Sequence, residues 1–306
     1  MAPRLAFLGL GLMGQAMTAN LVRFGNMEAP LTLYNRTKRK ADEHSVKLGS
    51  CKVAQTIEEA VSNSDIVWSC LENHEAVMHT FESILSVDIK GKLFVDSSTI
   101  PPEKTNAIAE RVLSAGGEFV AMPVMGEPTM AATRSLICIP SGNPASVDRI
   151  RPYLEGVVCR SVVDLSGEEL GTSSLLKLMG NFLIMATMET VAEVNVLAEK
   201  TGLGTKNMSK LMNVMFPNPP HAVYNRRMVS GEYHTGVPMV EVHKAISLTE
   251  SVLDMARKCG ASVKLYEIAH EHLKAVEAFA GPTADITGIY GATRQESGLP
   301  YENGTQ

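Results

Sequence analysis

Three glycines near the amino terminus constrain the fold of this chain most. Gly9, Gly11 and Gly14 directly follow the apolar run Leu5 to Leu8 and open a helical pattern that continues to Phe24. In this context the first glycine permits a tight turn, the second lets the backbone approach a pyrophosphate, and the third allows the helix to pack on the strand. The strand before the motif and the helix after it disfavour the alternative, a glycine-rich turn without a ligand. The segment therefore predicts a dinucleotide site at a helix N-terminus, where amide hydrogens favour an anion. The predicted cofactor contacts include the intervening residues Leu10, Leu12 and Met13.

The end of the second predicted strand indicates which dinucleotide would bind. The chain reads Asn35-Arg36-Thr37 where an NAD-selective site would carry an acid for the ribose. Asn35 brings no charge to repel a 2′-phosphate, while Arg36 and Thr37 supply a charged fork and a hydroxyl to bind one. The sequence therefore favours NADP (NADPH) over NAD. The alternative is that the basic residues from 36 to 40 form a solvated first helical turn.

Apolar runs rich in branched residues alternate with helical segments in the first half of the chain. This alternation is typical of a parallel sheet covered on both faces, so we predict a doubly wound α/β Rossmann domain. The predicted strands are Leu5 to Leu8, Leu31 to Tyr34, Cys51 to Ala54, Ile66 to Cys70, Leu93 to Asp96, Glu118 to Met122 and Ser135 to Ile139, with a last candidate at Arg160 to Val163.

The second half shows helical periodicity only, most clearly from Ser173 to Lys200 and from Val240 to Cys259. The chain of 306 residues is long enough for two domains at about 100 to 200 residues each. We therefore predict a Rossmann domain over residues 1–165 and an all-helical domain over residues 166–306.

Composition excludes several other classes of protein. The formal net charge of −5 provides no global positive field for nucleic acid or an anionic membrane. Five scattered cysteines without a Cys-x-x-Cys pair indicate neither a disulfide framework nor a zinc site. The glycines of the motif interrupt the helical core that a signal peptide needs, and Glu189 interrupts the apolar run from Phe182 to Met188. We expect a soluble, cytoplasmic protein.

The segment from Gly9 to Leu21 carries a resemblance to a known family. It reads GLGLMGQAMTANL and is very similar to the opening signature of the β-hydroxyacid dehydrogenase family, which includes 3-hydroxyisobutyrate dehydrogenase, tartronate semialdehyde reductase and relatives of 6-phosphogluconate dehydrogenase. The resemblance implies a Rossmann domain joined through a long helix to an all-helical domain. It also implies a homodimer whose substrate sites are completed near a helical interface.

A second similarity concerns the chemistry. Gly171 to Asn181 resembles the family's catalytic segment, in which a helix presents Lys177 and, four residues on, Asn181. That spacing puts both side chains on one helical face, and the leucines around Lys177 favour a lowered pKa. The alternative is a lysine that extends its stem along a core helix and keeps its ammonium in water. By resemblance, Lys177 is the general acid and base, and Asn181 orients the substrate or Lys177. Lysine can exchange the proton without a metal, and the sequence shows no clustered His, Asp and Glu ligand set, so we predict a metal-free mechanism.

Further matches imply contacts to cofactor and substrate. Asp96 to Pro101 is similar to the family's Asp-x-Ser-Thr segment, which implies that Thr99 contacts the nicotinamide end of the cofactor and that Ser98 lies in the substrate region. Leu71 and Glu72 align with cofactor-contacting positions, although the family often has proline where Glu72 stands.

The chain departs from the family at two places. The family's carboxylate-binding Pro-Val-Ser-Gly-Gly segment is replaced by Pro-Val-Met-Gly-Glu, so that Met125 and Gly126 would face the substrate and Glu127 would repel an acid unless it turns away. A small hydroxy acid is therefore not the necessary substrate. Lys244 matches the lysine of a Lys-Asp pair and would reach the nicotinamide half, but Ala245 removes the acid.

Together these features predict an NADPH-dependent oxidoreductase that interconverts an aldehyde or ketone and its alcohol. Two alternatives remain. The Met-Gly-x-Pro-Thr-Met segment is also similar to imine reductases, which usually lack the catalytic lysine, and the fold could serve as a non-catalytic NADP-binding scaffold.

Overall fold

The computed structural model describes residues 3–304, which form two units. The first unit ends at Lys177 and the second begins at Leu178. The strands are β1 Leu5–Leu8, β2 Leu31–Tyr34, β3 Cys51–Val53, β4 Ile66–Ser69, β5 Leu93–Asp96, β6 Glu118–Ala121, β7 Val124–Met125, β8 Leu136–Cys138, β9 Ser141–Gly142, β10 Cys159–Val162 and β11 Leu165–Ser166.

The main sheet of the first unit has eight strands in the order β11-β9-β6-β5-β4-β1-β2-β3. Its neighbours pair in parallel, except that β6 and β9 are antiparallel. All residues of β1, β4 and β5 are buried, as expected for strands that are covered on both faces. The predicted doubly wound Rossmann arrangement is confirmed. Because the strand order reverses between β1 and β4, ligands are expected beyond the carboxyl ends of these strands.

Two predicted strands lie outside the main sheet. The strands predicted at Ser135–Ile139 and Arg160–Val163 are β8 and β10, and together with β7 they form a separate three-stranded sheet in the order β10-β8-β7. Their buried side chains, such as Leu136 and Cys138, join the core that includes Met17. The edge of the main sheet is taken by β9 and β11, which have two residues each and are too short to give an apolar pattern.

Helices cover both units. They are α1 Leu12–Phe24, α2 Lys38–Leu48, α3 Ile57–Ser62, α4 His74–Ile84, α5 Pro102–Ser114, α6 Pro128–Ala132, α7 Pro144–Ile150, α8 Leu170–Lys200, α9 Thr205–Met215, α10 His221–Val229, α11 Glu232–Thr235, α12 Val242–Cys259, α13 Lys264–Ala280 and α14 Ile289–Glu296, with 3₁₀ turns at Arg151–Tyr153 and Ile286–Gly288. The predicted all-helical second half is confirmed.

Helix α8 belongs to both units, which explains why they divide after Lys177 whereas the sequence predicts a boundary after residue 165. The first turns of α8 are bonded to the first unit. The Gly171 amide donates to Asn106 Oδ1 at 2.8 Å, and the Ser173 hydroxyl is 2.8 Å from that of Ser141. These bonds place the amino-terminal part of α8, including Lys177, with the Rossmann sheet.

The remainder of α8 lies in the core of the second unit, where Met188 and Val191 pack in one cluster with Tyr266. By length and composition α8 could cross a membrane, with 44% of its most apolar window buried inside the protein, but a core helix passes the same test. Glu189 is fully buried in α8 and is bonded to His272. Such a partner is what a polar group in a protein core requires.

The second unit also contains a buried ion pair that we expect to control its stability. Asp285 is 2% exposed, contacts the Arg227 guanidinium and accepts from the amide and hydroxyl of Thr287. Asp285→Asn removes the buried partner of the Arg227 guanidinium and leaves it only the half-buried Glu232 at 3.3 Å, so we expect the free energy of unfolding to fall by about 3 kcal/mol in urea titrations. The control is Asp254→Asn, whose exposed pairs with Arg257 and Lys258 predict an unchanged midpoint. Equal midpoints for the two variants would contradict this interpretation.

Candidate functional site

The segment Gly9 to Gly14, here named the glycine loop, connects β1 to α1. Gly9 has φ +98°, and a Cβ on it would lie 2.4 Å from the carbonyl oxygen of Cys70. A Cβ on Gly14 would lie 2.0 Å from the carbonyl oxygen of Gly9. A Cβ on Gly11, in contrast, would meet no atom within 4 Å. Packing therefore requires two of the glycines, and the third faces open space through which a pyrophosphate can approach.

The first turn of α1 suits an anion. Gly11 occupies the N-cap position, no side chain caps the helix, and the first turn contains no acidic residue. The helix amides are therefore free to donate to a phosphate. Leu10 is buried while Leu12 is 73% exposed, and Met13 is half-buried.

Asn35 ties the glycine loop to the end of β2. Its Oδ1 accepts from the Leu10 amide at 2.9 Å, and its Nδ2 donates to the Thr37 carbonyl at 3.0 Å. The Asn35 carboxamide therefore connects the glycine loop to the start of α2, a structural role that was not predicted from the sequence. Arg36 and Thr37 are exposed, and Thr37 is the N-cap residue of α2 without using its hydroxyl as a cap. Within residues 3–304 no ion pair is recorded for Arg36.

A buried carboxyl lies at the adjacent carboxyl ends of β4 and β5. Asp96, the last residue of β5, accepts from the hydroxyls of Ser69 and Ser98, each at 2.7 Å. Ser98 also accepts from the Leu71 amide at 2.9 Å. Burial raises the pKa of Asp96, and the serine donors partly offset this effect. No role was predicted for Asp96, although an acidic residue at the end of an otherwise apolar strand could have indicated a functional position.

Two other predicted residues of this edge, Glu72 and Thr99, are exposed. They lie immediately beyond Leu71 and Ser98, so they are accessible at the carboxyl edge of the sheet.

Lys177 is the buried amine of the first unit. It is 8% exposed, and burial lowers its pKa to about 8. The Cys70 thiol is close enough to Lys177 to affect that pKa, in the opposite direction. Burial raises the pKa of Cys70 to about 12, with a further upward contribution from Asp96. An amine whose pKa lies near neutrality can exchange a proton under physiological conditions, as a general acid or base requires.

Asn181 and Lys244 belong to the second unit. Asn181 follows Lys177 by one turn of α8, is buried, and its Nδ2 has no hydrogen-bond partner in the described part of the chain. Lys244, in the first turn of α12, is exposed, and its Nζ is 2.6 Å from Glu241 Oε2. Glu241, which was not predicted from the sequence, thus provides the carboxylate partner of Lys244 that Ala245 cannot supply.

The segment that departs from the family has local partners. Met125 is half-buried in β7, and Gly126 has φ +133° with a Cβ position 2.6 Å from Leu136 Cδ2. Glu127 Oε1 accepts from the Thr129 hydroxyl at 2.5 Å. The Glu127 carboxylate is therefore bonded to the first turn of its own helix, α6.

These features together define a class of protein. A mainly parallel sheet whose strand order reverses beside a glycine loop, with an uncapped helix N-terminus after it, is the dinucleotide-binding domain typical of nicotinamide-dependent oxidoreductases. Residues 4–163 match the family model of the NAD binding domain of 6-phosphogluconate dehydrogenase. The chain belongs to the β-hydroxyacid dehydrogenase family.

Known relatives agree with this assignment. The chain is 57% identical over 294 residues to the NADH-dependent oxidoreductase ucdB of Aspergillus ustus, covering 96% of this chain and 100% of that protein. It is 27% identical over 285 residues to glyoxylate/succinic semialdehyde reductase 2, chloroplastic, of Arabidopsis thaliana, covering 90% and 77% respectively.

Solved structures share the fold over nearly the whole chain. The 3-hydroxyisobutyrate dehydrogenase of Mycobacterium tuberculosis, determined with L-serine, matches with a TM-score of 0.82 at 23% identity, covering 96% of this chain and 100% of that one. A Streptomyces aurantiacus imine reductase matches with a TM-score of 0.62 at 24% identity, covering 96% and 99%. At these identities the structures show the fold alone.

The unequal surroundings of the glycines predict separable effects of substitution. We expect Gly11→Ala to leave the thermal midpoint unchanged and to weaken dinucleotide binding about tenfold or more, because the methyl group enters the open space. Gly14→Ala should instead destabilise the fold by about 1–3 kcal/mol, since its methyl group meets backbone. Thermal unfolding and dinucleotide titration measure both. A Gly11→Ala protein that binds normally would show that the open space is not the pyrophosphate site.

Proposed function

We propose that the protein transfers hydride between NADPH and an aldehyde or ketone, with Lys177 as the general acid of reduction and the general base of oxidation. The observation that carries the proposal is the burial of the Lys177 amine, with its pKa lowered to about 8, in the unit that holds the glycine loop. The bound dinucleotide would supply or accept the hydride.

Lys177 would donate the proton in reduction and accept it in oxidation. In reduction the protonated Nζ donates its proton to the carbonyl oxygen as negative charge develops on it, which yields the alcohol and a neutral amine. In oxidation the neutral amine takes the hydroxyl proton. Burial favours this exchange because it makes the ammonium easier to deprotonate than an exposed lysine.

The proposal also includes Asn181, one helical turn after Lys177 on α8. Its buried Nδ2 has no partner among residues 3–304, and an unsatisfied buried donor is costly. An oxygen of the substrate would satisfy it, so we assign Asn181 to substrate orientation. The family resemblance supports the same role.

For the cofactor we propose NADPH. The uncharged Asn35, which is occupied by the Leu10 amide, and the exposed Arg36 and Thr37 support a site for a 2′-phosphate. One observation favours NADH instead: the Aspergillus ustus relative is named as an NADH-dependent enzyme.

For the substrate we propose a carbonyl compound, including semialdehydes, which the name of the Arabidopsis thaliana relative supports. An imine is the second candidate, because an imine reductase shares the fold. Lys177 favours the carbonyl, since the developing alkoxide requires a proton that the lysine can give.

We also propose that the protein forms a homodimer through its helical unit. Met179, Leu183 and Leu197 recur along one exposed face of α8. An exposed apolar helix face of this kind is often covered by a partner subunit.

The role of Lys177 predicts both a loss of activity and a pH dependence. Lys177→Met should lower kcat for a carbonyl substrate by about 10²–10⁴-fold. In the unmodified protein kcat for reduction should fall as the pH rises through about 8, because the required ammonium is lost, and kcat for oxidation should rise over the same range. Both are measured by dinucleotide absorbance against semialdehydes, simple aldehydes, ketones and cyclic imines.

Lys200→Met is the matched control, because Lys200 lies on the same helix, is exposed and, among residues 3–304, donates only to the Ser297 carbonyl. Its kcat should be unchanged. Turnover of imines only, unaffected by Lys177→Met, would refute the carbonyl mechanism, and binding without turnover of any compound would favour a scaffold.

The choice of cofactor predicts an asymmetric response at Arg36. Arg36→Ala should raise KM for NADPH about tenfold and leave KM for NADH within twofold, because only NADPH carries the 2′-phosphate. Arg39→Ala is the control, since Arg39 is exposed and pairs with Glu43 at 3.3 Å. A lower KM for NADH than for NADPH in the unmodified protein would establish the alternative.

A further inference from the structure

Three hydrogen-bond donors surround the buried Asp96 carboxyl at the end of β5. It is 4% exposed, and its Oδ1 accepts from Ser69 Oγ at 2.7 Å, from Ser98 Oγ at 2.7 Å and from the Ser98 amide at 3.3 Å. A buried carboxyl without such donors would be very costly. The three bonds therefore hold the carboxyl in one position at the end of β5.

Ser98 connects the fixed Asp96 carboxyl to the segment that follows β4. A serine hydroxyl has one hydrogen to donate, and in Ser98 that hydrogen is directed to Asp96. The same oxygen accepts from the Leu71 amide at 2.9 Å. Ser98 thus joins the carboxyl end of β5 to the segment that follows β4.

The segment held by Ser98 lies directly against the glycine loop. The carbonyl oxygen of Cys70 and the Cδ2 of Leu71 are 2.4 and 2.8 Å from where a Cβ of Gly9 would be. No side chain fits between the two segments. A displacement of Leu71 would therefore be transmitted to Gly9, where the loop begins its turn toward the dinucleotide.

We propose that Asp96 and Ser98 are positioning residues for the dinucleotide, acting through the Leu71 amide and the Cys70–Leu71 peptide on the glycine loop. The proposal rests on the proposed function, since it presumes that the glycine loop holds the cofactor. It changes the role of Ser98, which the family resemblance places in the substrate region. In the structure its hydroxyl is bonded to Asp96 and to the Leu71 amide, in the segment that lies against the glycine loop.

Ser69 provides a matched control for Ser98. Both hydroxyls donate to the same carboxyl oxygen at the same distance of 2.7 Å, and both are buried. Within the described part of the chain, the Ser69 hydroxyl has only the Val95 carbonyl as a second partner, at 3.4 Å, and makes no bond to Leu71. Ser69→Ala and Ser98→Ala therefore remove equivalent bonds to Asp96, and only the second removes the connection to the glycine loop.

The test compares these two variants by thermal unfolding, by dinucleotide titration and by the separate KM values for dinucleotide and carbonyl substrate. We expect similar shifts in thermal midpoint for both. Ser98→Ala should raise the Kd and KM for the dinucleotide about tenfold with little change in carbonyl KM, while Ser69→Ala leaves both within twofold.

Equal dinucleotide Kd values for the two variants would overturn the proposal, and so would a Ser98→Ala protein whose carbonyl KM alone rises. Asp96→Asn combined with Ser98→Ala gives a second measurement. If Asp96 and Ser98 act through the same connection to Leu71, the Kd of the double variant for the dinucleotide should not exceed the higher Kd of the two single variants. A Kd that rises by the product of the two single effects would contradict the proposal. An unmodified protein that binds no dinucleotide would refute the proposed function itself.

Discussion

Close approach of backbone to backbone at the glycine loop is the constraint on which the site depends. Gly14 lies against the carbonyl of Gly9, and Gly9 lies against the carbonyl of Cys70, at distances that leave no room for a side chain. These contacts bring the start of α1 to the carboxyl ends of β1 and β4, where the strand order of the sheet reverses. Free helix amides and an open approach at Gly11 follow from that packing.

The proposed chemistry depends on a different constraint, the burial of the Lys177 amine away from water. The first turns of α8 are bonded to the Rossmann sheet, so Lys177 is placed with the first unit and is almost fully buried. Burial also raises the pKa of the nearby Cys70 thiol, to which Asp96 adds a further upward contribution, and it raises the pKa of Asp96 itself. Burial disfavours the ammonium of Lys177 as well, and it lowers the pKa of that amine to about 8, toward the range useful for proton transfer.

The segment after β7 shows how the chain differs from its family without losing the fold. A methionine stands where the family offers a hydroxyl, and the neighbouring Glu127 is bonded to Thr129 at the start of α6. Local bonding of this kind reduces the cost of an acid where the family has glycine.

The sequence by itself determined the positions of strands β1 to β6 along the chain, the long helices and the glycine spacing, because apolar periodicity and backbone geometry are properties of neighbouring residues. It also indicated Lys177, through the resemblance of the segment from Gly171 to Asn181 to the family's catalytic segment. Only the tertiary structure decided that β8 and β10 form a separate sheet, that Asn35 bonds to Leu10, and that Ser98 joins Asp96 to Leu71. Those contacts join residues distant in the chain, and their partners are selected by which strands become neighbours and in which register. No local pattern encodes that selection, because the free energy that decides it comes from packing the whole unit.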